Sequence, residues 1–574
     1  MLHGLLMDAA FGAYITIPAI LLLIAYIIFE KSFIKNILKG YSAIIIFLSL
    51  LITTIDLFTY QAWRFRLNDR PIYYLMHPKE AAAASSHLPL TLISILYLIS
   101  VIAIYWVLNK RVLVYLQQGQ QAGISIKTKL WQMLFMLLLA VSFIIPARGG
   151  FQQIPINQSS VYFTDKIFYN HAATNVCWVF VNSLVRSNHY AVNPFIAVTD
   201  HETSLVKSKL FSVGSDTGFI KILKKDVLKP NIIFIVWESL TDKATKLKLG
   251  NVEVTPHFNN YKKEGIYFSN IYATGDRTDK GIVATLSGFP AQPITSIIQT
   301  PQKVQSLPVI SNTLYRSGYK TSFYYGGELE FANLKAYVIG SNFSKITTVN
   351  DFKNEDLNSK WGAHDNIVAK KIMEDLQVQQ SPFFLTWLTL SSHEPFEIPF
   401  ASITDEKDVE SLFLNSHHYM DSVLFTFIEA CKKLPSWQNT LVVISADHGH
   451  PLPTSTKKID DFKIPLLLLG GALKNTNLIM PGIGSQIDIP TTVLAQLGMP
   501  TAQFKWGKNL FNPTTPPWAY FCFDNGYGFV QTDNYYIFDN IGGKPIETKG
   551  RLTSEQIIKG KVVQQLTFQD YMDR

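Results

Sequence analysis

The chain has 574 residues, of which 48% are hydrophobic and only 16% are charged, and its mean hydropathy is +0.13. A soluble globular chain carries about 25% charged residues, so the shortfall predicts membrane spans, and the 13% aromatic content excludes a disordered chain. Residues 1–150 contain 12 Lys and Arg against 5 Asp and Glu, whereas the remaining residues contain 39 against 38. The basic charge therefore belongs to the first quarter and does not indicate a nucleic-acid surface.

Four apolar stretches dominate the first quarter of the chain. Each has about the 17–25 residues that cross a hydrocarbon core, so we predict a transmembrane domain of four helices at residues 1–147. The stretches are Phe11–Phe29, Tyr41–Phe58, Leu88–Leu108 and Leu130–Pro146.

The loop charges predict an orientation. The first and third loops carry seven Lys and Arg, against five in the second loop together with Arg148. The positive-inside rule then places Met1, the second loop and everything after Pro146 outside the cytoplasm. Arg64 and Arg66 lie among aromatic residues of the second loop, which favours either simple interfacial anchoring or binding of a lipid headgroup phosphate.

A connector follows at residues 148–228, with an amphipathic helix predicted at Asn175–Leu184. From Pro230, short apolar runs alternate with helix-like segments, which predicts an α/β domain with a mostly parallel sheet flanked by helices. We place this catalytic domain at 229–515 and a smaller C-terminal subdomain at 516–574. The predicted strands are Asn231–Val236, Thr321–Tyr325, Phe383–Leu390, Thr440–Ser445 and Ile464–Leu469, and the predicted helices are Pro256–Glu264, Gly281–Leu286, Leu307–Ser317, Asn366–Leu376, Ser411–Lys433 and Ile489–Leu497.

Metal-binding residue types follow three of the predicted strands. Glu238 follows the first, Asp447 and His448 follow Thr440–Ser445, and His393 follows Phe383–Leu390. Ligands collect at the carboxyl ends of parallel strands, and this set suits a borderline cation such as zinc or manganese. Thr278 opens a predicted helix, where a hydroxyl nucleophile would meet a phosphoryl anion at the positive helix end.

Each of these residues also has a simpler interpretation. Glu238 could be a surface residue at a strand end, Asp447-His448-Gly449 a turn, Thr278 an ordinary helix N-cap, and His393 a loop residue. Their joint placement favours one metal site over four unrelated features.

These motifs together resemble the alkaline phosphatase superfamily and, within it, the membrane-bound lipoteichoic acid synthases and phosphoglycerol transferases. Relatives of this branch usually have five spans, against the four counted here. The resemblance rests on Asn231–Ser239, Thr255-Pro256, Glu264–Asn270, Arg277–Asp279, Ser445–Gly449 and Ser485–Pro490.

The resemblance implies a sulfatase-like catalytic domain with one divalent ion, manganese first and zinc or magnesium as alternatives. It implies Glu238, Thr278, Asp447 and His448 as the metal ligands, with Thr278 also the nucleophile. It further implies substrate contacts from three residues, of which His393 is the best candidate to protonate the leaving group. Those three are Trp361, His364 and His393.

The expected activity is transfer of a phosphoglycerol-type group from a membrane phospholipid to a glycan or lipid-linked acceptor. The expected location is a bacterial inner membrane, with the catalytic domain extracytoplasmic and no nucleic-acid partner. A phosphoethanolamine transferase is the first alternative, although those enzymes usually carry several disulfides and this chain has three cysteines. A membrane-bound phosphodiesterase and a sensor with a decayed site are the others. Sulfate ester hydrolysis is disfavoured, because sulfatases need Cys or Ser where Thr278 stands.

Overall fold

The structure is a computed structural model in which the chain divides into two compact units. Met1–Met76 and Ser85–Tyr190 form a helical unit, and Ala191–Arg574 form an α/β unit. The connector predicted at 148–228 is therefore shared between the two units. The structure describes residues 2–63, 66–67, 71, 89–113, 125–151, 155–156, 161, 167–186, 192–211, 218–299, 301–329, 334–400, 402–404 and 407–574.

Within the described residues, the helical unit has four helices long and apolar enough to cross a membrane. Three of the predicted stretches, Phe11–Phe29, Tyr41–Phe58 and Leu130–Pro146, lie within these spans. At the stretch predicted for Leu88–Leu108 the helix begins at Leu90, and Leu88 lies outside the described residues. A shorter helix also forms where the amphipathic segment was predicted. The helices of this unit are α1 (Leu5–Phe29), α2 (Ser32–Trp63), α3 (Leu90–Leu108), α4 (Ile126–Ser142), α5 (Ile144–Arg148), α6 (Ile167–Ala173) and α7 (Val176–Arg186).

The α/β unit is built on an eight-stranded sheet in the order β10-β4-β9-β8-β1-β7-β5-β6. Among the described strands of this sheet, β9 alone runs antiparallel to its neighbours, so the predicted mostly parallel sheet is confirmed. The strands of the unit are β1 (Asn231–Trp237), β2 (Lys248–Leu249), β3 (Val252–Glu253), β4 (Ile266–Tyr272), β5 (Lys320–Tyr325), β6 (Lys345–Thr347), β7 (Phe383–Leu388), β8 (Thr440–Ala446), β9 (Lys463–Leu469), β10 (Leu478–Ser485), β11 (Trp518–Phe523), β12 (Gly526–Gln531), β13 (Tyr535–Asp539) and β14 (Lys544–Lys549).

Helices cover the eight-stranded sheet. Every residue of β1, β7 and β8 is buried, as expected for central parallel strands with apolar side chains on both faces. The helices of the whole α/β unit are α8 (Asp200–Leu210), α9 (Pro256–Glu264), α10 (Thr278–Ser287), α11 (Pro301–Val304), α12 (Ile310–Arg316), α13 (Leu334–Gly340), α14 (Asp365–Val378), α15 (Val409–Lys432), α16 (Ile489–Gln496) and α17 (Ser554–Asp573).

The C-terminal residues form a second, antiparallel sheet in the order β11-β12-β13-β14, accompanied by α17. Aromatic side chains of the sheet, among them Trp518, Tyr527 and Phe529, share an apolar cluster with Val562 and Val563 of α17. This is the smaller C-terminal subdomain expected from the sequence.

Candidate metal centre

The site lies where β1 and β8 end side by side. These strands are parallel neighbours, and Trp237 pairs with Ala446 in their last register position. The next residue on each strand is therefore Glu238 and Asp447, held at the same edge of the sheet. Ser239 has a φ of 58°, a left-handed conformation that is uncommon outside glycine. The chain therefore turns sharply directly after Glu238.

Glu238, Asp447 and His448 form a compact buried cluster. Their candidate ligand atoms all lie within 4.8 Å of one another, and the three side chains are at most 6% exposed. The Nε2 atom of His448 lies 3.4 Å from Oε1 of Glu238 and 3.5 Å from Oδ2 of Asp447. Burial excludes the interpretation of Glu238 as a surface residue.

The hydrogen bonds around this cluster fit a bound cation. His448 Nδ1 lies 2.6 Å from the carbonyl oxygen of Gly449, which can only accept, so Nδ1 carries a proton, and Nε2 is the ring nitrogen that would present its lone pair to a bound ion. Asp447 Oδ1 accepts the backbone N–H groups of Ser239 and His448, both at 2.8 Å. Its other oxygen, Oδ2, is buried without a hydrogen-bond partner among the described residues. A divalent ion would satisfy both Nε2 and Oδ2.

The pKa values of the three residues indicate that the cluster lacks a compensating positive charge. Burial, together with the charge of Glu238, raises the pKa of Asp447 to about 7. Burial would lower the pKa of His448, but the carboxylates of Asp447 and Glu238 raise it to about 9. Burial would likewise raise the pKa of Glu238, yet its hydrogen bond with His448 holds that pKa well below the usual range. In the absence of a cation, the cluster therefore attracts a proton, and metal and proton compete for it.

Thr278 is the first residue of α10 and contacts the cluster. Its hydroxyl donates to Oε2 of Glu238 at 3.2 Å. The N-cap is Arg277, so the interpretation of Thr278 as an ordinary N-cap is wrong. A Cβ at Gly281, one turn further along, would lie 1.7 Å from the carbonyl oxygen of Asp447, so only glycine lets α10 approach the Asp447 backbone this closely.

Two of the three predicted substrate contacts lie together. The rings of Trp361 and His393 meet edge to face at 4.4 Å, and the Trp361 indole N–H donates to the carbonyl of Glu394 at 2.6 Å. His393 Nδ1 lies 3.0 Å from the same carbonyl oxygen of Glu394. His364 is 2% exposed, and its Nδ1 lies 3.4 Å from the hydroxyl of Ser391.

The predicted headgroup residues belong to the helical unit. Arg64 lies outside the described residues. The guanidinium of Arg66 donates to Asp56 and, at 2.9 Å, to the carbonyl oxygen of Thr174. Asp56 also accepts the backbone N–H of Leu67 at 2.8 Å and is buried. Arg66 therefore joins α2 to the chain ahead of α7, and its role toward a headgroup stays a prediction.

We expect Arg66→Gln to destabilise the helical unit by about 3 kcal/mol, because it leaves the buried carboxylate of Asp56 without its cation. Adding Asp56→Asn should recover part of this loss, since the side-chain oxygen can still accept from Leu67. Thermal unfolding of the full chain in detergent measures both effects. Equal stability of Arg66→Gln and the wild type would contradict the structural role. Loss of lipid turnover without loss of stability, with a soluble nitrophenyl phosphodiester still cleaved, would favour the headgroup role instead.

Sequence reasoning missed two buried residues that support the site. The Asp365 carboxylate accepts the backbone N–H groups of Leu390 and Ser391 and so fixes the loop that carries His393. His417 Nδ1 accepts the indole N–H of Trp237 at 3.1 Å, and burial lowers the pKa of His417 to about 3. Histidine on the apolar face of a predicted helix was the only sequence signal for His417.

Comparison with known proteins agrees with this architecture. Residues 230–499 match the Sulfatase family. A protein of the alkaline phosphatase superfamily from Vibrio parahaemolyticus superposes with a TM-score of 0.58 at 24% identity, covering 66% of this chain and 97% of that one. The lipoteichoic acid synthase LtaP of Listeria monocytogenes gives 0.53 at 20% identity, covering 64% and 97%. Residues 230–499 are therefore similar to the Sulfatase family, and the α/β unit shares the fold of these two solved structures.

Curated relatives match at low identity. The lipoteichoic acid synthase of Staphylococcus aureus is 26% identical over 346 residues, which are 54% of this chain and 51% of that protein. The lipoteichoic acid synthase-like YvgJ of Bacillus subtilis is 22% identical over 332 residues, 53% of each chain. The chain thus has lipoteichoic acid synthases among its homologues and spans about half the length of the curated relatives it matches.

Proposed function

We propose that the chain is a membrane-anchored, metal-dependent transferase that moves a phosphoglycerol-type group from a phospholipid to an envelope acceptor. The observation that carries the proposal is the contact between the Thr278 hydroxyl and Glu238, within the buried cluster of Glu238, Asp447 and His448. The relatives named as lipoteichoic acid synthases support the substrate class. The four apolar helices support a donor that stays in the bilayer.

Glu238, Asp447 and His448, with the Thr278 hydroxyl, would hold one divalent ion. Such an ion would favour the alkoxide form of the threonine and offset charge on the phosphoryl oxygens. Manganese is the expected ion, with zinc or magnesium as alternatives.

In the first step, Thr278, whose hydroxyl proton would be released to solvent when an ion binds, attacks the phosphorus of the donor phosphodiester through Oγ. A bond forms between Oγ and phosphorus, the bond from phosphorus to the diacylglycerol oxygen breaks, and the diacylglycerol leaves. The positive N-terminal end of α10 favours the phosphate anion at Thr278. His393, beside the Trp361 ring, would donate the proton that the departing alkoxide needs.

In the second step, the hydroxyl of a glycan or lipid-linked acceptor attacks the phospho-threonine diester. His393, now unprotonated, would take the proton of the acceptor hydroxyl. The bond between phosphorus and Thr278 Oγ breaks, and the free threonine returns. If water enters instead, the same residues perform hydrolysis, and if the donor is phosphatidylethanolamine, they transfer phosphoethanolamine. The three cysteines, all within the described residues, are buried and form no disulfide, unlike the several disulfides usual in that second class.

Mass spectrometry of the trapped adduct tests the proposal. Full-length protein in detergent, incubated with Mn²⁺ and phosphatidylglycerol but no acceptor, should carry glycerol phosphate on the peptide containing Thr278. Phosphatidylethanolamine in place of phosphatidylglycerol should leave that peptide unmodified. Modification by phosphatidylethanolamine alone would move the assignment to the alternative transferase. Release of glycerol phosphate at the same rate with and without an acceptor would make the enzyme a hydrolase.

We expect residues 148–574 to lie outside the cytoplasm, because seven basic residues in the first and third loops outnumber the five on the other side, and basic loops stay cytoplasmic. A fluorescent reporter that matures only in the cytoplasm, fused after Arg574, should stay dark. The same reporter inserted in the first loop, after Lys31, should be bright. A bright C-terminal fusion would contradict the proposed topology.

A further inference from the structure

Helix α7 has an exposed apolar stripe. Val181, Leu184 and Val185 are 48%, 36% and 78% exposed, and at about 100° per residue they share one side of the helix. The other apolar side, which includes Val176 and Val179, is buried. The preceding helix α6 adds exposed Phe168 and Tyr169, at 57% and 50%.

The contacts of α7 show how far along the transmembrane helices α1 and α2 it lies. The amide of Asn175, directly before α7, donates to Asp8 of α1 at 2.8 Å. The Cys177 thiol donates to the carbonyl oxygen of Ser49 in α2 at 3.5 Å. The turn between α1 and α2 lies at Glu30, and at 1.5 Å per residue Asp8 is about 33 Å from it, close to the hydrocarbon thickness of about 30 Å.

The start of α7 therefore lies at one boundary of the hydrocarbon region, and Glu30 lies near the other. A stripe of exposed valine and leucine at that level would face acyl chains and headgroups. Half-buried Asn182, about 60° from Val185 around the helix, borders the stripe with a polar group. An exposed apolar stripe bordered by a polar side chain, at the level where the hydrocarbon region ends, suits a segment in the membrane interface.

We propose that α7 forms an interfacial anchor, in which its side bearing Val181 and Val185 is seated in the phospholipid leaflet on the Asp8 side of the membrane. The anchor would fix the depth at which the chain leaves the span helices. This inference does not depend on the proposed reaction.

Fluorescence quenching tests the anchor. Val185→Cys, labelled with an environment-sensitive dye, is prepared in the full chain and reconstituted into phosphatidylglycerol vesicles. The native cysteines are buried, so the label reports on the introduced site. Two control variants give the quenching expected inside the bilayer and in water. Leu98→Cys lies on α3 with the residue 49% exposed, and Val378→Cys ends α14 with the residue 82% exposed.

If α7 lies in the interface, the dye at position 185 is about 5–10 Å deep. Brominated acyl chains should then quench it at least about twice as strongly as the dye at position 378. Its quenching should approach that of the dye at position 98. Iodide in the aqueous phase should show the reverse order. Val181→Cys should repeat the result. Equal behaviour of 185 and 378 would overturn the anchor. Protection of 185 from both quenchers would also overturn it, because it would show a protein surface covering the stripe, such as a second copy of the chain.

Discussion

Thr278→Ala should abolish turnover of the lipid donor, with a loss of about 10⁴-fold or more, as expected when a covalent nucleophile is removed. The hydroxyl that contacts Glu238 disappears, while Glu238, Asp447 and His448 keep their ligand atoms. Thr278→Ser retains the hydroxyl and should keep partial activity. Turnover is measured as release of diacylglycerol from phosphatidylglycerol by the full chain in detergent.

The fold should tolerate Thr278→Ala, since the helix is capped by Arg277 and the threonine side chain takes no part in the cap. We expect the free energy of unfolding to fall by at most about 1.5–3 kcal/mol, the range for a hydrogen bond to a charged group, against about 5–15 kcal/mol for a whole fold. Thr426→Ala, which removes an exposed helical hydroxyl on α15 that donates to Ser422, is the matched control and should leave turnover unchanged. Substantial turnover by folded Thr278→Ala would refute the covalent mechanism.

Asp447→Asn should remove the metal and leave the fold intact. One carboxylate oxygen already accepts the N–H groups of Ser239 and His448, and the amide oxygen of asparagine can take its place. The other oxygen, which would face the ion, becomes an NH₂ group that cannot bind a cation. We expect the wild type to hold one divalent ion per chain, and both Asp447→Asn and Glu238→Gln to hold far less, by elemental analysis of the purified full chain.

Thermal unfolding gives a second measurement. At a metal concentration of 100 times the dissociation constant, the wild type should gain about 2.7 kcal/mol, and Asp447→Asn should gain little. Asp421→Asn is the matched control, because Asp421 is also buried and accepts the N–H groups of His257 and Phe258, away from the cluster. It should lose stability and keep its metal. Unchanged metal content in Asp447→Asn and Glu238→Gln would remove the ligand assignment.

The positions of Glu238 and Asp447 were predictable because each directly follows a continuous apolar strand, and parallel strands end at one edge. Thr278 was predictable as a helix start, although not as the residue after the cap. The partners of Arg66 were not, because they depend on how α2 meets the chain near Thr174, more than 100 residues away. His417 was hidden for a similar reason, since its contact with Trp237 joins a helix to a distant strand.

The strands β1, β5, β7, β8 and β9 were predicted closely, but β4 and the two edge strands, β6 and β10, were missed. For β10 the reason is visible in the sequence. Pro481 lies within it, and proline inside a run argues against a strand. The structure resolves the conflict with a register shift between Met480 and Ile483, so the proline falls at the irregularity. The hairpin between β11 and β12 was predictable from the sequence, because Asn525-Gly526 is typical of tight turns. In the structure Asn525 has a φ of 58°, as such a turn requires.

The close approach of Gly281 to the Asp447 carbonyl limits which substitutions this part of the chain can accept during evolution. The gap between α10, which begins at Thr278, and Asp447, which follows β8, is bounded by main chain on both sides at Gly281, with no side chain between them. Exchanges among the surrounding core residues can change packing and stability without resetting that gap. An alanine at position 281 would push α10 away from the Asp447 main chain. This one glycine therefore sets the distance between α10 and Asp447.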